Sequence, residues 1–217
     1  MKIRIWPFAL IVAGILIFFY PKLSETYDNY QQQKLIQEWQ ASFQNIDLDE
    51  PDQDGTEEQA DAPVESDPAP EAPPGNAEKD DRLEGMLHIE KIDLNLPILH
   101  GATQENMKTT LASIDNTGQA GQIGNYAIAG HRNRTYGRNF NRLDEMEEGD
   151  TIEVDNGEHK YTYTVVEKLY VKPDEVWVLE GNGKDKEITL VTCHPMGKST
   201  HRLIIKGKML EDSSAAS

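Results

Sequence analysis

The chain has 217 residues, a single cysteine and a formal net charge of −17 at pH 7. One cysteine excludes an internal disulfide, and the lack of any basic cluster argues against nucleic acid as a partner. The length allows one ordinary domain in addition to terminal segments.

The N-terminus has the composition of a membrane anchor. Lys2 and Arg4 precede an uncharged, mostly apolar run over residues 5–21, which as a helix spans roughly 25 Å, near the short end for a bilayer crossing. The run ends in FFYPK, where a cleaved leader would carry small residues. We therefore expect residues 1–22 to be an uncleaved signal anchor that crosses once, with the N-terminus in the cytoplasm and the rest outside. A cleaved leader is the alternative.

Residues 23–46 predict a helical stalk that is polar except for one apolar stripe. The stripe consists of Leu35, Ile36, Trp39 and Phe43, at helical spacing. Such a stripe suits packing either on the membrane surface or on the following domain.

Residues 47–81 are acidic and rich in proline. They contain fourteen Asp and Glu residues and one lysine, so they contribute −13 of the net charge of −17. No aromatic residue lies among them, and such a chain cannot bury enough surface to offset its conformational entropy. We predict a disordered linker that serves as a spacer.

Residues 82–217 have the pattern of a mostly β domain. Alternating runs such as YTYTVV and EITLVT are bounded by turn residues, and the sequence Asp155-Asn156-Gly157 between two such runs is typical of a hairpin. The number of short strands predicts a closed barrel or a sandwich with a few short helices. The pattern alone does not separate these two architectures.

Cys193 closes the run EITLVTC. Alternation places Thr189, Val191 and Cys193 on one face of the predicted strand. His194 and Pro195 end the strand, because proline cannot donate to a ladder. A thiol at the end of a strand lies on an accessible rim, so we interpret Cys193 as a nucleophile; filling of the core is the alternative.

A cysteine nucleophile needs a proton partner and a group that stabilises negative charge. His131 follows NYAIAG at the end of another predicted strand, whereas the remaining histidines lie in ordinary positions or beside the cysteine itself. Arg202 begins the last strand, nine residues after Cys193, and a loop of that length allows the two strands to pair. We expect the Arg202 guanidinium to reach the thiol, and Arg132 and Arg134 to face solvent.

Three short motifs together resemble the sortases, the membrane-anchored cysteine transpeptidases of Gram-positive bacteria. They are TLVTC ending at Cys193, AGHR containing His131, and RLIIKGK beginning with Arg202. The resemblance implies that residues 82–217 form a closed eight-stranded sortase-type β-barrel. Some class A sortases are activated by calcium, and Glu145, Glu147, Glu148 and Asp150 are candidate ligands here. We interpret them as an ordinary solvated turn and expect no cofactor.

The resemblance assigns a role to each of these side chains. Cys193 corresponds to the nucleophile that attacks the threonine carbonyl of an LPxT-type sorting signal, His131 to the general acid and base, and Arg202 to the residue that positions substrate and stabilises the oxyanion. Ala129 and Val191 correspond to positions near the groove for the signal. The implied partners are surface proteins that carry such signals, a cell-wall precursor amine of the lipid II type, and the membrane.

The class of sortase follows from smaller features. TLxTC is shared by class A and class D, but the continuation TCHP departs from the acidic residue common in class A. We therefore predict class D with an LPNTA-type signal, and a class A enzyme for LPxTG signals is the alternative. Two other interpretations stay open: a metal site built from Cys193, His194, His201 and His131, or an exported domain that binds the cell wall without catalysis.

Overall fold

The computed structural model of the protein describes residues 5–44, 80–135 and 137–210. The helices are α1 (Ile5–Gln44) and α2 (Gln104–Thr109), and short 3₁₀ helices span Glu90–Ile92, Leu143–Glu145 and Val176–Leu179. The strands are β1 (Leu83–Ile89), β2 (Leu94–Leu99), β3 (Leu111–Ser113), β4 (Gly124–Ala129), β5 (Thr151–Asp155), β6 (Lys160–Val171), β7 (Lys186–His194) and β8 (His201–Lys208). Most of the predicted acidic linker lies outside these residues.

The eight strands close into a barrel in the order β1-β2-β3-β4-β7-β8-β6-β5. Pairs β2–β3 and β4–β7 are parallel and the other pairs are antiparallel. The prediction of a mostly β, closed eight-stranded barrel is therefore confirmed, and closure leaves no sheet edge unpaired.

The barrel interior is packed by the apolar residues that alternate along each strand. Fully buried side chains in this core include Leu87, Ile98, Ile128, Tyr163, Ile188, Leu190 and Ile205. Along β7, Ile188 and Leu190 point inward, so Val191 and Cys193 lie on the outer face. Val191 joins a second cluster there, in which Val178 of the Val176–Leu179 3₁₀ helix packs on the outside of the barrel.

Helix α1 runs through the predicted boundary between anchor and stalk. Its parts Leu10–Tyr20 and Lys22–Gln37 meet at 41°, at Pro21, which lacks the N–H of a regular helical hydrogen bond. Among the described residues, no single straight helix is long and apolar enough to cross a membrane; only this bent pair taken together has the length and composition for it.

The second half of α1 packs on the barrel. Leu35 and Trp39 are buried in one cluster with Leu83, Met86 and Leu99 of β1 and β2. The Gln32 side-chain amide also donates to the main-chain oxygen of Thr109, at 3.2 Å. Of the two options for the apolar stripe, packing on the domain is the one found for these side chains.

We expect Leu35→Ala to lower the free energy of unfolding by about 2–3 kcal/mol, because it leaves a cavity between α1 and the barrel. The measurement is urea unfolding of the full-length chain. Leu23→Ala, at a position of α1 that is 66% exposed, is the matched control. Equal unfolding midpoints for the two variants would show that the helix does not contribute through this contact.

Glu84 of β1 joins two other parts of the barrel. Its carboxylate accepts a hydrogen bond from the Tyr126 hydroxyl at 2.7 Å and lies 2.6 Å from His100 Nδ1. Burial raises the pKa of Tyr126 well above its ordinary value. The hydrogen bond to Glu84 raises the pKa of the exposed His100 imidazole, because it favours the charged form.

A raised histidine pKa implies a stability contribution that is complete below the ordinary value of about 6.5 and is lost as pH rises through the folded-state value. We therefore expect wild-type stability to fall more between about pH 6 and pH 9 than that of His100→Gln, which keeps a donor but no titrating charge. Urea unfolding of both proteins at the two pH values measures this difference. The difference is small, because solvent screens an exposed pair. Identical pH dependence in the two proteins would contradict it.

Candidate active site

Cys193 lies one residue before the end of β7, on the outer face of the barrel. Its side chain is partly exposed and forms no disulfide. The thiol is therefore accessible from solvent and is also partly covered by neighbouring residues. This agrees with the accessible rim position expected from the sequence.

Arg202 is the direct register partner of Cys193 in the antiparallel pair β7–β8. Opposed residues of such a pair point to the same face with Cβ atoms about 4.5–5.5 Å apart. The guanidinium Nη1 donates to the main-chain oxygens of Ser199 and His201, at 3.3 and 3.1 Å. The loop between the strands thus holds the guanidinium of the residue that is paired with Cys193.

His131 reaches the same rim through the parallel pair β4–β7. Ala129 is the register partner of Val191, and each lies two residues before one of the predicted catalytic residues. The pairing continues past the strand, since Gly130 N–H donates to the Val191 oxygen at 3.1 Å and the Thr192 hydroxyl donates to the Gly130 oxygen at 2.7 Å. The register therefore brings exposed His131 level with Cys193.

Gly130 has a steric role that the sequence motif does not reveal. A Cβ atom at this position would lie 2.6 Å from side-chain carbons of both Leu111 and Phe140. These two residues are fully buried and cannot move apart easily. Only glycine lets the backbone approach the core closely enough to place the next residue, His131, at the rim.

The prediction that Arg132 faces solvent is wrong. Its side chain is only 7% exposed and pairs with Asp144 at 2.6 Å, and its Nη1 lies 2.9 Å from His194 Nδ1. Alternation along β7 turns His194 away from the face of Cys193, and the bridge between Arg132 and Asn139 holds the backbone of Arg132 beyond the end of β4. Arg134 is exposed, as expected.

The two predicted groove residues lie side by side next to the thiol. Ala129 and Val191 are register partners on the outer face and both are partly exposed. The 3₁₀ helix Val176–Leu179 packs near Val191 and presents exposed Val176 and Trp177. The sequence EVWVLE at residues 175–180 resembles another short strand and points to no binding role. The structure instead forms a 3₁₀ helix there with Trp177 half exposed, in a connection of the kind that often carries binding residues.

No metal site forms around these side chains within the part of the chain that the structure describes, where no three His, Cys, Asp or Glu residues are grouped to hold an ion. Cys193 and His194, which a zinc site would need together, are adjacent in a strand and lie on opposite faces. His201 is exposed, with Nδ1 3.0 Å from the Thr200 hydroxyl.

Comparison with known proteins agrees with this geometry. The profile of the family described as Sortase domain matches residues 87–210. Sortase A of Bacillus anthracis is 31% identical over 202 residues, which cover 92% of this chain and 90% of that protein. Sortase D of Bacillus subtilis is 28% identical over 127 residues, covering 57% of this chain and 62% of that protein.

The structure is also similar to solved structures of sortases. A sortase D5 transpeptidase of Clostridium perfringens superposes with a TM-score of 0.55 at 29% identity, covering 59% of this chain and 79% of that one. Sortase A of Listeria monocytogenes superposes with a TM-score of 0.57 at 29% identity, covering 60% of this chain and 89% of that one. From its profile match and its relatives, this chain belongs to the sortase family of cysteine transpeptidases.

Proposed function

We propose that this sortase uses Cys193, His131 and Arg202 to cleave an LPxT-type sorting signal after threonine and to transfer the acyl group to a cell-wall precursor amine. The observation that carries the proposal is the register: Arg202 is paired directly with Cys193, and the β4–β7 ladder brings His131 to the same level. The pairing of β7 with its sequence neighbour β8 and with the distant β4 therefore supports a common site for the three side chains.

The proposed reaction has two acyl transfers. The Cys193 thiolate attacks the threonine carbonyl carbon, and the Arg202 guanidinium donates hydrogen bonds to the oxygen as it becomes negative. The peptide C–N bond breaks, His131 protonates the departing amine, and a thioester to Sγ remains. His131 then accepts a proton from the incoming amine, which attacks the thioester carbonyl and releases Cys193. The thioester keeps the acyl group reactive toward an amine.

The surface beside Ala129 and Val191, which are both partly exposed, is the proposed site for the extended peptide segment of the signal. Val191 packs on the apolar cluster that contains Val178, and the neighbouring Val176 and Trp177 are exposed, so the leucine and proline of the signal would meet apolar side chains. We propose class D with a preference for LPNTA-type signals, supported by the TCHP continuation. The similarity to sortase A of Bacillus anthracis over 92% of this chain favours the alternative, a class A enzyme for LPxTG signals.

We also propose the cellular arrangement. Sortases as a family are generally membrane-associated with an extracellular catalytic domain. In this chain, residues 1–22 would be the single-pass anchor with a cytoplasmic N-terminus, residues 23–46 the stalk, residues 47–81 the linker and residues 82–217 the catalytic domain. The partners would be surface proteins with sorting signals and a lipid II-type precursor.

Peptide profiling tests the proposed function. We expect the full-length chain to cleave both LPNTA and LPETG peptides in the presence of a glycine or diaminopimelate amine, with a higher kcat/KM for LPNTA. The measurement is mass spectrometry of the released fragment and the amine adduct. A higher kcat/KM for LPETG would establish the class A alternative, and no cleavage of either peptide would contradict the assignment of the signal.

We expect Cys193→Ala to abolish cleavage and the thioester adduct, because alanine offers no nucleophile. The unfolding midpoint should stay close to that of the wild type, since the side chain is partly exposed at the end of a strand. Cleavage retained in this variant would exclude Cys193 as the nucleophile.

Arg202 offers a graded test of charge stabilisation. We expect Arg202→Met to lower kcat by about 10²–10³-fold, the size of losing an oxyanion donor. Arg202→Lys should recover part of the loss, because it restores the charge without the fork of donors. Lys208→Met, at the far end of the same strand where it pairs with Asp185, is the matched control. An equal loss of kcat in Arg202→Met and Lys208→Met would show that Arg202 has no specific role in the reaction.

A further inference from the structure

We propose that Arg132 is a positioning residue, which ties the His131 segment to the end of β7 by a hydrogen bond to His194. The inference rests on the proposed roles of His131 and Cys193, since Arg132 and His194 directly follow these two residues. The tie therefore joins the neighbours of the proposed acid–base group and of the nucleophile across the rim.

The Arg132 guanidinium has two partners from different segments. Nη2 pairs with Asp144 Oδ2 at 2.6 Å, and Nη1 lies 2.9 Å from His194 Nδ1. The main chain of Arg132 also bridges to Asn139, in the segment that returns from His131 to the core. The side chain thus contacts β7 and Asp144, and the main chain contacts Asn139, both in the segment that follows the predicted acid–base group.

The contact defines which nitrogen of the His194 ring accepts the hydrogen bond. A guanidinium donates hydrogen bonds and cannot accept them. Nδ1 of His194 must therefore be the acceptor, and the neutral ring carries its proton on Nε2. The ring is held in place by Tyr170 of β6, whose ring centroid lies 4.5 Å away.

Fold stability alone does not account for this arrangement. A guanidinium that is 7% exposed loses most of its hydration, and its Nε is buried with no partner among the described residues. An apolar side chain of similar size would avoid that cost. Arginine adds a connection beyond the point where the β4–β7 pairing ends, at Gly130 and Val191. The relative position of the two proposed catalytic groups depends on such a connection, because small displacements slow acyl transfer strongly.

Two substitutions of the acceptor test the tie in the full-length chain. His194→Asn keeps a carbonyl oxygen near the position of Nδ1, whereas His194→Leu keeps the packing on Tyr170 and removes the acceptor. We expect His194→Leu to lower kcat about tenfold with KM changed less than about twofold, and His194→Asn to recover most of kcat. Arg134→Met, at an exposed arginine of the same loop, is the control for loss of a positive charge and should stay near wild type.

Two measurements separate this inference from the proposed function. ¹⁵N NMR should show His194 with a bare Nδ1 at neutral pH, and hydrogen exchange of Phe140 N–H, which donates to the His131 oxygen, should accelerate in His194→Leu but not in His194→Asn. Both are readable even if no peptide is cleaved. A protonated Nδ1 in the wild type, or equal exchange and equal kcat in the two variants, would overturn the tie.

Discussion

The pairing of β7 with two neighbours is the constraint on which the site depends. β7 is parallel to β4 on one side and antiparallel to β8 on the other, so a single strand sets the position of all three proposed catalytic groups. A slip of one residue in either ladder would turn Cys193 or its partner to the opposite face. The buried alternation of Ile188 and Leu190 prevents such a slip, because it would expose these side chains to solvent.

The same alternation places the proposed catalytic side chains and the side chains that position them on opposite faces at the end of the barrel. The outer face carries Cys193 and Arg202, and the opposite face turns His194 toward Arg132. Of two adjacent residues in one strand, Cys193 can thus face the substrate while His194 contacts a residue that positions the site. Gly130 makes this possible, because only a residue without a side chain fits between Leu111 and Phe140.

Local patterns account for the part of the structure that could be predicted from the sequence. Strand alternation and the position of proline placed Cys193 at a strand end, and the short loop before Arg202 implied neighbouring strands. The closed barrel came from resemblance, since short alternating runs fit a sandwich equally well. The burial of Arg132 was missed because it depends on Asp144 and His194, which are distant in sequence and meet only when the barrel closes.

Because α1 packs on the barrel, the acidic segment that connects them does not act as a simple spacer. Trp39 and Leu83 belong to one cluster, so the residues on both sides of the interval 45–79 lie at the same face of the barrel. The length of this interval therefore does not set the distance between helix and barrel. Closing a loop of this size costs about 3 kcal/mol beyond a constant term, comparable to the burial of one or two large side chains. Fourteen carboxylates and one lysine between residues 47 and 81 add mutual repulsion, which salt screens. For the predicted disordered linker, this repulsion opposes packing of the helix on the barrel, and its effect is largest at low salt.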